Sequence, residues 1–304
     1  MTTTMTDNNN DMNVSWHVVA FLDLLGQQDK LRQITTLPDQ ANAAEVEAFK
    51  QSVLQMYGPV KSLRTFFLNS IKSFSAPSDD KDIPEQFKEV MQQFRSCPID
   101  SQTFSDSVIA SVPLRTDISL FPCRAIFGVL SAAALAFLSC LAKGSPIRGG
   151  IDLGLAFNID ENEIYGPALA RAYTLESKVA HYPRIVIGEE LVRYLNAVAT
   201  APAATTEQQM NAVTAQSCIR LMTTDDDGHS ILDYLGEEFR DSLEMVHSTA
   251  DIVQMAYNFV LTESQKYQAE KNSKLGFRYT LLRNYFEDRL PNWGFELQAV
   301  EPEE

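Results

Sequence analysis

Val18-Val19-Ala20-Phe21-Leu22-Asp23-Leu24-Leu25-Gly26 is an apolar run interrupted by one acid and ended by one glycine. A short apolar run rich in Val, Leu and Phe and closed by a turn residue reads as a buried strand. Phe104-Ser105-Asp106-Ser107-Val108-Ile109-Ala110-Ser111-Val112 has the same character, again with a single acid. An ionised carboxylate is costly to bury unless it is paired or holds a metal. Taken singly, either Asp also fits a residue that caps an element or ends a strand. Taken as a pair on neighbouring strands, they would repel each other, and a divalent cation would remove the conflict. Gly26 lets the chain turn sharply after the first strand. Backbone N–H groups at such a strand–turn–helix junction favour a phosphate. Metal and phosphate cradle together suggest a nucleoside triphosphate.

Bulk properties agree with a globular protein of this kind. The chain has 304 residues and an apolar share of 45%, which suits one large domain or one domain with additions. A net charge of −15 argues against nucleic acid as a partner, because phosphate backbones need a basic face. Cys97, Cys123, Cys140 and Cys218 are scattered without CxxC spacing, and read as small buried residues in a reducing, cytoplasmic compartment. The stretch 125–142 is nearly all apolar or small and approaches the length of a membrane span. Its Ala content and serines favour a helix buried between the sheet and another layer, of this chain or of a partner subunit, with no membrane involved.

Along the chain, 1–13 is polar and expected to be disordered. A strand at 14–24 precedes a helix from Gln27 onward. Two helices at 38–56 and 59–74 and a third at 85–95 form a helical insertion, about 38–98. A strand or hairpin at 102–113, the apolar helix and a Gly-bearing strand at 147–157 follow. Pro167 opens a helix over 168–180, and a short strand spans 184–187. The Ala/Thr-rich stretch 199–208 reads as a loop into a helix, and a hairpin turns about Asp226-Asp227-Gly228. Two helices, 243–271 and 275–290, complete a C-terminal helical extension at 241–304, set apart from a domain at 14–240. Hairpins mixed with long helices point to an α+β fold with a mostly antiparallel sheet.

Four motifs in order resemble the class III nucleotidyl cyclases. Phe21-Leu22-Asp23-Leu24-Leu25-Gly26 and Phe104-Ser105-Asp106-Ser107 resemble the two metal motifs. Arg148-Gly149-Gly150-Ile151-Asp152-Leu153-Gly154 resembles the following glycine-bearing strand. Tyr165-Gly166-Pro167-Ala168-Leu169-Ala170-Arg171-Ala172-Tyr173-Thr174-Leu175-Glu176-Ser177 resembles the next strand end and the catalytic helix. The resemblance covers about 14–187. It departs from purine cyclases at three places. The helix Asn and Arg align with Ala170 and Thr174, and the base-reading Lys aligns with Gln102, opposite an acid that aligns with Glu163. With the helical additions, this is most similar to the pyrimidine cyclases of bacterial antiphage defence, the Pycsar cyclase family.

The resemblance implies a reaction and a set of roles. Asp23, Asp106 and the Leu24 carbonyl would hold two Mn²⁺ or Mg²⁺ ions, ~3.5–4 Å apart. The amides of Leu25, Gly26 and Gln27 would cradle phosphate. UTP or CTP would close to the 3′,5′-cyclic monophosphate with loss of pyrophosphate, a reaction ruled by position and charge. The product would act on a separate effector protein. Arg171, or Lys178 further along the helix, would replace the absent Arg; either also fits a solvated helix edge. Gln102 and Glu163 would read the base, and Tyr57 would stack on it unless it is a core aromatic. A homodimer follows, with metal residues from one subunit and Gln102, Glu163 and Arg171 from the other. Two other readings stay open, a purine cyclase with a variant site and an inactive regulatory domain of the same fold.

Overall fold

The computed structural model describes residues 3–7, 10–27, 31–32, 34–74, 84–96, 98–115, 118–159, 163–243 and 249–295. Strand β1 (Thr3–Asp7) pairs antiparallel with the start of β2 (Asn10–Leu24). Residues 3–7 and 10–13 are therefore not the disordered tail expected from their polarity. Ladder hydrogen bonds are made by backbone N–H and C=O groups, so a polar segment also pairs when a neighbouring strand offers its edge. Helices α1 (Ala43–Phe74) and α2 (Glu85–Arg95) lead to the hairpin β3 (Asp100–Phe104) and β4 (Ser107–Pro113). Then come α3 (Pro122–Ala142), β5 (Ile147–Asn158) and β6 (Ile164–Tyr165). Helix α4 (Pro167–Thr174) runs on into a π-helical turn, Leu175–Val179, before β7 (Ile185–Ile187). Helices α5 (Glu189–Thr200) and α6 (Thr206–Arg220) precede the hairpin β8 (Met222–Thr224) and β9 (Ser230–Leu232). The short α7 (Glu237–Ser242) and the hairpin of α8 (Thr249–Ala269) and α9 (Ser273–Arg289) follow.

The architecture is α+β. Among the described residues, the sheet runs β3-β4-β2-β5-β7-β9-β8, with only β5 and β7 parallel. Period-two alternation sorts the central strands into two faces. Val18, Ala20 and Leu22 stand opposite Val112, Ala110 and Val108 on β4, and all six are buried in the main core. Phe21 and Asp23 point to the other face.

Helix α3 lies over the core face. Its residues from Cys123 to Leu141 are buried nearly all round, and it packs against α1, α6 and α8. It is long and apolar enough to cross a membrane by length and composition, but its partners are helices of its own chain. A helix apolar on every side is covered on every side.

Two helices were expected at 38–56 and 59–74, yet α1 continues through Gly58 and Pro59. Pro59 removes one backbone N–H and one intrahelical bond. The buried Leu63, Phe67 and Ile71, each one turn apart, anchor the second half to the core. The C-terminal hairpin contributes Val253, Ala256, Val260, Tyr279 and Leu282 to the same core, so it is an integral layer. The three described cysteines, Cys123, Cys140 and Cys218, are free and buried; Cys97 and the helix expected just after Gln27 lie outside the described residues.

Candidate active site

Asp23 lies opposite Ser107 of β4 on one side and Arg148 of β5 on the other. Asp106 occupies the tight β3–β4 turn after Ser105, whose φ is 51°. The Leu24 amide donates to the Asp106 carbonyl at 3.4 Å, which sets the two acids side by side. Ser107 Oγ donates to Asp23 Oδ1 at 2.6 Å. Arg64, reaching over from α1, donates to the Ser105 carbonyl at 2.6 Å and braces the turn.

Burial pushes the Asp23 carboxyl up to about 6 from 3.8. The Ser107 hydrogen bond opposes that rise, the charges of Asp106 and Glu176 add to it, and Arg148 opposes it. Sequence reading gave Ser107, Arg148 and Glu176 no part in the site. Arg148 Nε and Nη2 both donate to Glu176 Oε1, at 3.0 and 2.6 Å, in a pair that places one cation and one further acid beside Asp23. This donor set is hard oxygen. Two adjacent carboxylates and the Leu24 carbonyl suit a small divalent cation that takes its remaining ligands from water or phosphate. Among the described residues no group of three His, Cys, Asp or Glu side chains is arranged to hold a metal by itself.

Gly26 has φ +77°, the left-handed conformation that favours glycine. The expected phosphate cradle is corrected at Leu25, whose amide already donates to the Pro146 carbonyl at 2.9 Å. Gly26 and Gln27 remain as cradle amides. The Gln27 side chain is buried, and its Oε1 has no hydrogen-bond partner among the described residues.

Glycines on β5 let α4 lie directly on the site face. A Cβ at Gly150 would collide with the Ala172 carbonyl, and one at Gly154 would sit 2.9 Å from Ala168 Cα. Between α4 and the sheet opens a largely apolar cavity of about 530 Å³, lined by Phe21, Ile109, Tyr165, Leu169, Ala170 and Tyr173. Phe21 and Tyr173 meet edge to face, with ring centroids 5.4 Å apart. Gln102 is the register partner of Ile109, on the same face as Phe21 and Asp23. Glu163 is exposed two residues before Tyr165, its carbonyl accepting from the Ile159 amide at 2.8 Å.

The other sequence candidates are placed differently. Arg171 turns from the cavity toward Asp152 and Glu190, at 3.7 and 3.5 Å. Lys178 is exposed on the π turn. Tyr57 is 51% exposed on α1 and does not line the cavity. The continuity of α1 through Pro59 carries it along the helix surface, and Phe21, Tyr165 and Tyr173 supply the aromatic wall instead.

The chain matches no protein-family model and no curated protein. Among solved structures, it is similar to a bacterial light-regulated adenylyl cyclase at 10% identity and a TM-score of 0.38, over 81% of this chain and 98% of that one. It is also similar to a class III adenylyl cyclase-like ATP-binding protein from Pseudomonas aeruginosa at 15% identity and a TM-score of 0.36, over 77% of this chain and 44% of that one.

Proposed function

We propose that this chain is a nucleotidyl cyclase that converts UTP, or failing that CTP, to the 3′,5′-cyclic monophosphate and pyrophosphate. One observation carries the reading: Asp23 and Asp106, 83 positions apart in the sequence, are neighbours on the sheet face that also bears an apolar cavity. The four ordered motifs support it from the sequence. Asp23, Asp106 and the Leu24 carbonyl would hold Mn²⁺ or Mg²⁺. The ions would supply the positive charge for the triphosphate and lower the pKa of the ribose 3′-hydroxyl. The Gly26 and Gln27 amides orient the phosphates, and the Ser107 hydroxyl holds Asp23 in its ionised form. The 3′-oxygen forms a bond to the α-phosphorus as the bond to the bridging oxygen breaks, and pyrophosphate leaves.

Gln102 and Glu163 would read the base edge, beside a cavity of about 530 Å³ with aromatic walls. The working form is a homodimer in which Arg171 and Lys178 are the cations offered to the partner's metal residues, and the cyclic product is a signal to a separate effector in antiphage defence. Incubation with each of the four triphosphates and Mn²⁺, with products resolved by chromatography, tests this directly. Cyclic UMP or cyclic CMP as the main product is expected. A purine product would retain the cyclase and reject the base assignment, and no cyclic product would reject the enzyme. Asp23→Ala and Arg171→Ala proteins, each inactive alone, should recover about a quarter of wild-type activity when mixed, since half of the dimers are mixed and each has one intact site.

A further inference from the structure

Toward the start of β2, away from Asp23, the sheet holds a second and smaller cavity. Its volume is about 250 Å³, and its polar lining is Ser15, His17, Asp100, Arg115 and Asn158. Strand register gathers these residues. His17 lies opposite Pro113 of β4 and Gly154 of β5. Ser15 lies opposite Ala156, two residues before Asn158. Asp100 of β3 lies opposite Ser111, two residues before Pro113. Ser15, His17 and Asp23 share one face of β2, because alternate residues do. His17 is about 20 Å from Asp23 along an extended strand. The cavity shares no lining residue with the one beside α4.

Ser15 and His17 are both buried, and Ser15 Oγ and His17 Nε2 share a hydrogen bond of 3.0 Å. His17 Nδ1 has no hydrogen-bond partner among the described residues. Pro113, across the register, has no N–H to offer it. A buried polar atom without a partner is destabilising, and a bound molecule can complete its bonding. The imidazole is neutral at physiological pH, since burial and then the charge of Arg115 hold its pKa down at about 4. The charges on the cavity wall are then one guanidinium, Arg115, and one carboxylate, Asp100. Pro113 and Ile118 supply an apolar side. A simple anion would be opposed by Asp100, and a simple cation by Arg115. A molecule carrying both charges meets a partner for each, with the carboxylate on the guanidinium and the ammonium on the acid.

We propose that this cavity binds a free neutral α-amino acid, its carboxylate on Arg115, its ammonium on Asp100, and the Ser15–His17 pair and Asn158 hydrogen-bonded to it. The site shares no residue with the cyclase reading and stands or falls without it. The test is calorimetric titration of the whole protein with L-alanine, L-serine, L-valine and L-leucine, one at a time. At least one should bind. Its carboxamide and its N-acetyl form, each missing one charge, should bind ~10–100-fold more weakly. Arg115→Ala and Asp100→Asn should each lose a similar factor, and Asp23→Ala should bind as wild type does. Asp100 stands on the edge strand β3, so the Asn variant keeps the test open if Arg115→Ala does not fold. The inference is overturned if none of the four amino acids binds, or if binding survives unchanged in Asp100→Asn. It is equally overturned if acetate or methylammonium alone binds as tightly as the amino acid.

Discussion

Ser107 donates its hydroxyl to Asp23 Oδ1 at 2.6 Å, across the register of β2 and β4. Among the described residues it is the one neutral group that steadies the ionised carboxylate against burial and against Asp106. Ser107→Ala should raise the Asp23 pKa above about 6. A hydrogen bond to a charged group contributes about 1.5–3 kcal/mol, so Mn²⁺ affinity should fall by ~10-fold or more. Metal titration of both proteins at neutral pH measures it; unchanged affinity would remove Ser107 from the site.

The raised pKa of Asp23 predicts a pH dependence of defined sign. The unfolded chain ionises this carboxyl near 3.8 and the folded, metal-free protein near 6. Folding therefore takes up a proton between those values, and the metal-free protein loses stability as pH rises through that window. Above it this group adds no further slope. Metal binds the ionised form, so its affinity should climb as pH rises to about 6 and then level off. Asp23→Asn should abolish turnover, flatten both profiles and raise the melting temperature of the metal-free protein at neutral pH.

Gly150 is the point where α4 meets the sheet, beneath the Ala172 carbonyl, the Leu175 side chain and the Glu176 amide. A methyl group there has no space, and backbone cannot give way as a flexible side chain does. Gly150→Ala should cost about 1–3 kcal/mol of stability and shift the Glu176–Arg148 pair beside Asp23. Denaturant unfolding gives the first quantity, and loss of turnover in the folded fraction gives the second. Gly58→Ala, at a helix position with open space around it, is the control and should be neutral or slightly stabilising.

The cavity wall can be separated from the exposed aromatics. Tyr173→Ala removes the edge-to-face partner of Phe21 and widens the cavity. The variant's preference for pyrimidine over purine triphosphates should fall by the ~10–200-fold that size alone supplies. Tyr57→Ala should leave the preference unchanged. Competition between UTP and ATP in one reaction reads both, and a shift with Tyr57 rather than Tyr173 would reverse the assignment.

The central strands and the acid pair were legible because each strand is short, apolar and marked by a single charge. The Gly-bearing strand was legible for a related reason, since glycine in a strand announces a close approach. Helix α5 escaped notice, although Gly188 followed by Glu189 and Glu190 is a helix start with acids in its first turn. The neighbouring β7 drew the reading toward the sheet. Other features depend on groups brought together only by folding. The Leu25–Pro146 hydrogen bond joins residues 121 positions apart, and Arg184 is gathered with Tyr182 and with Asp225 and Asp227 of the β8–β9 turn. Tyr57 shows the opposite error. A Gly-Pro pair reads as a break, but a buried stripe at four-residue spacing carried the helix through it.

The two-faced strand β2 has a consequence for how such a chain can change over time. Leu22 faces α3 and Asp23 faces the site, so losing or gaining one residue between Val18 and Asp23 exchanges the two faces. The carboxylate would enter a sealed apolar layer and a leucine would take its place over the cavity. Length variation is therefore closed to this segment, whatever the residue. Substitution at fixed spacing is its only open route, and lineages of such proteins should differ in length at the loops and keep the distance from Val18 to Gly26 constant.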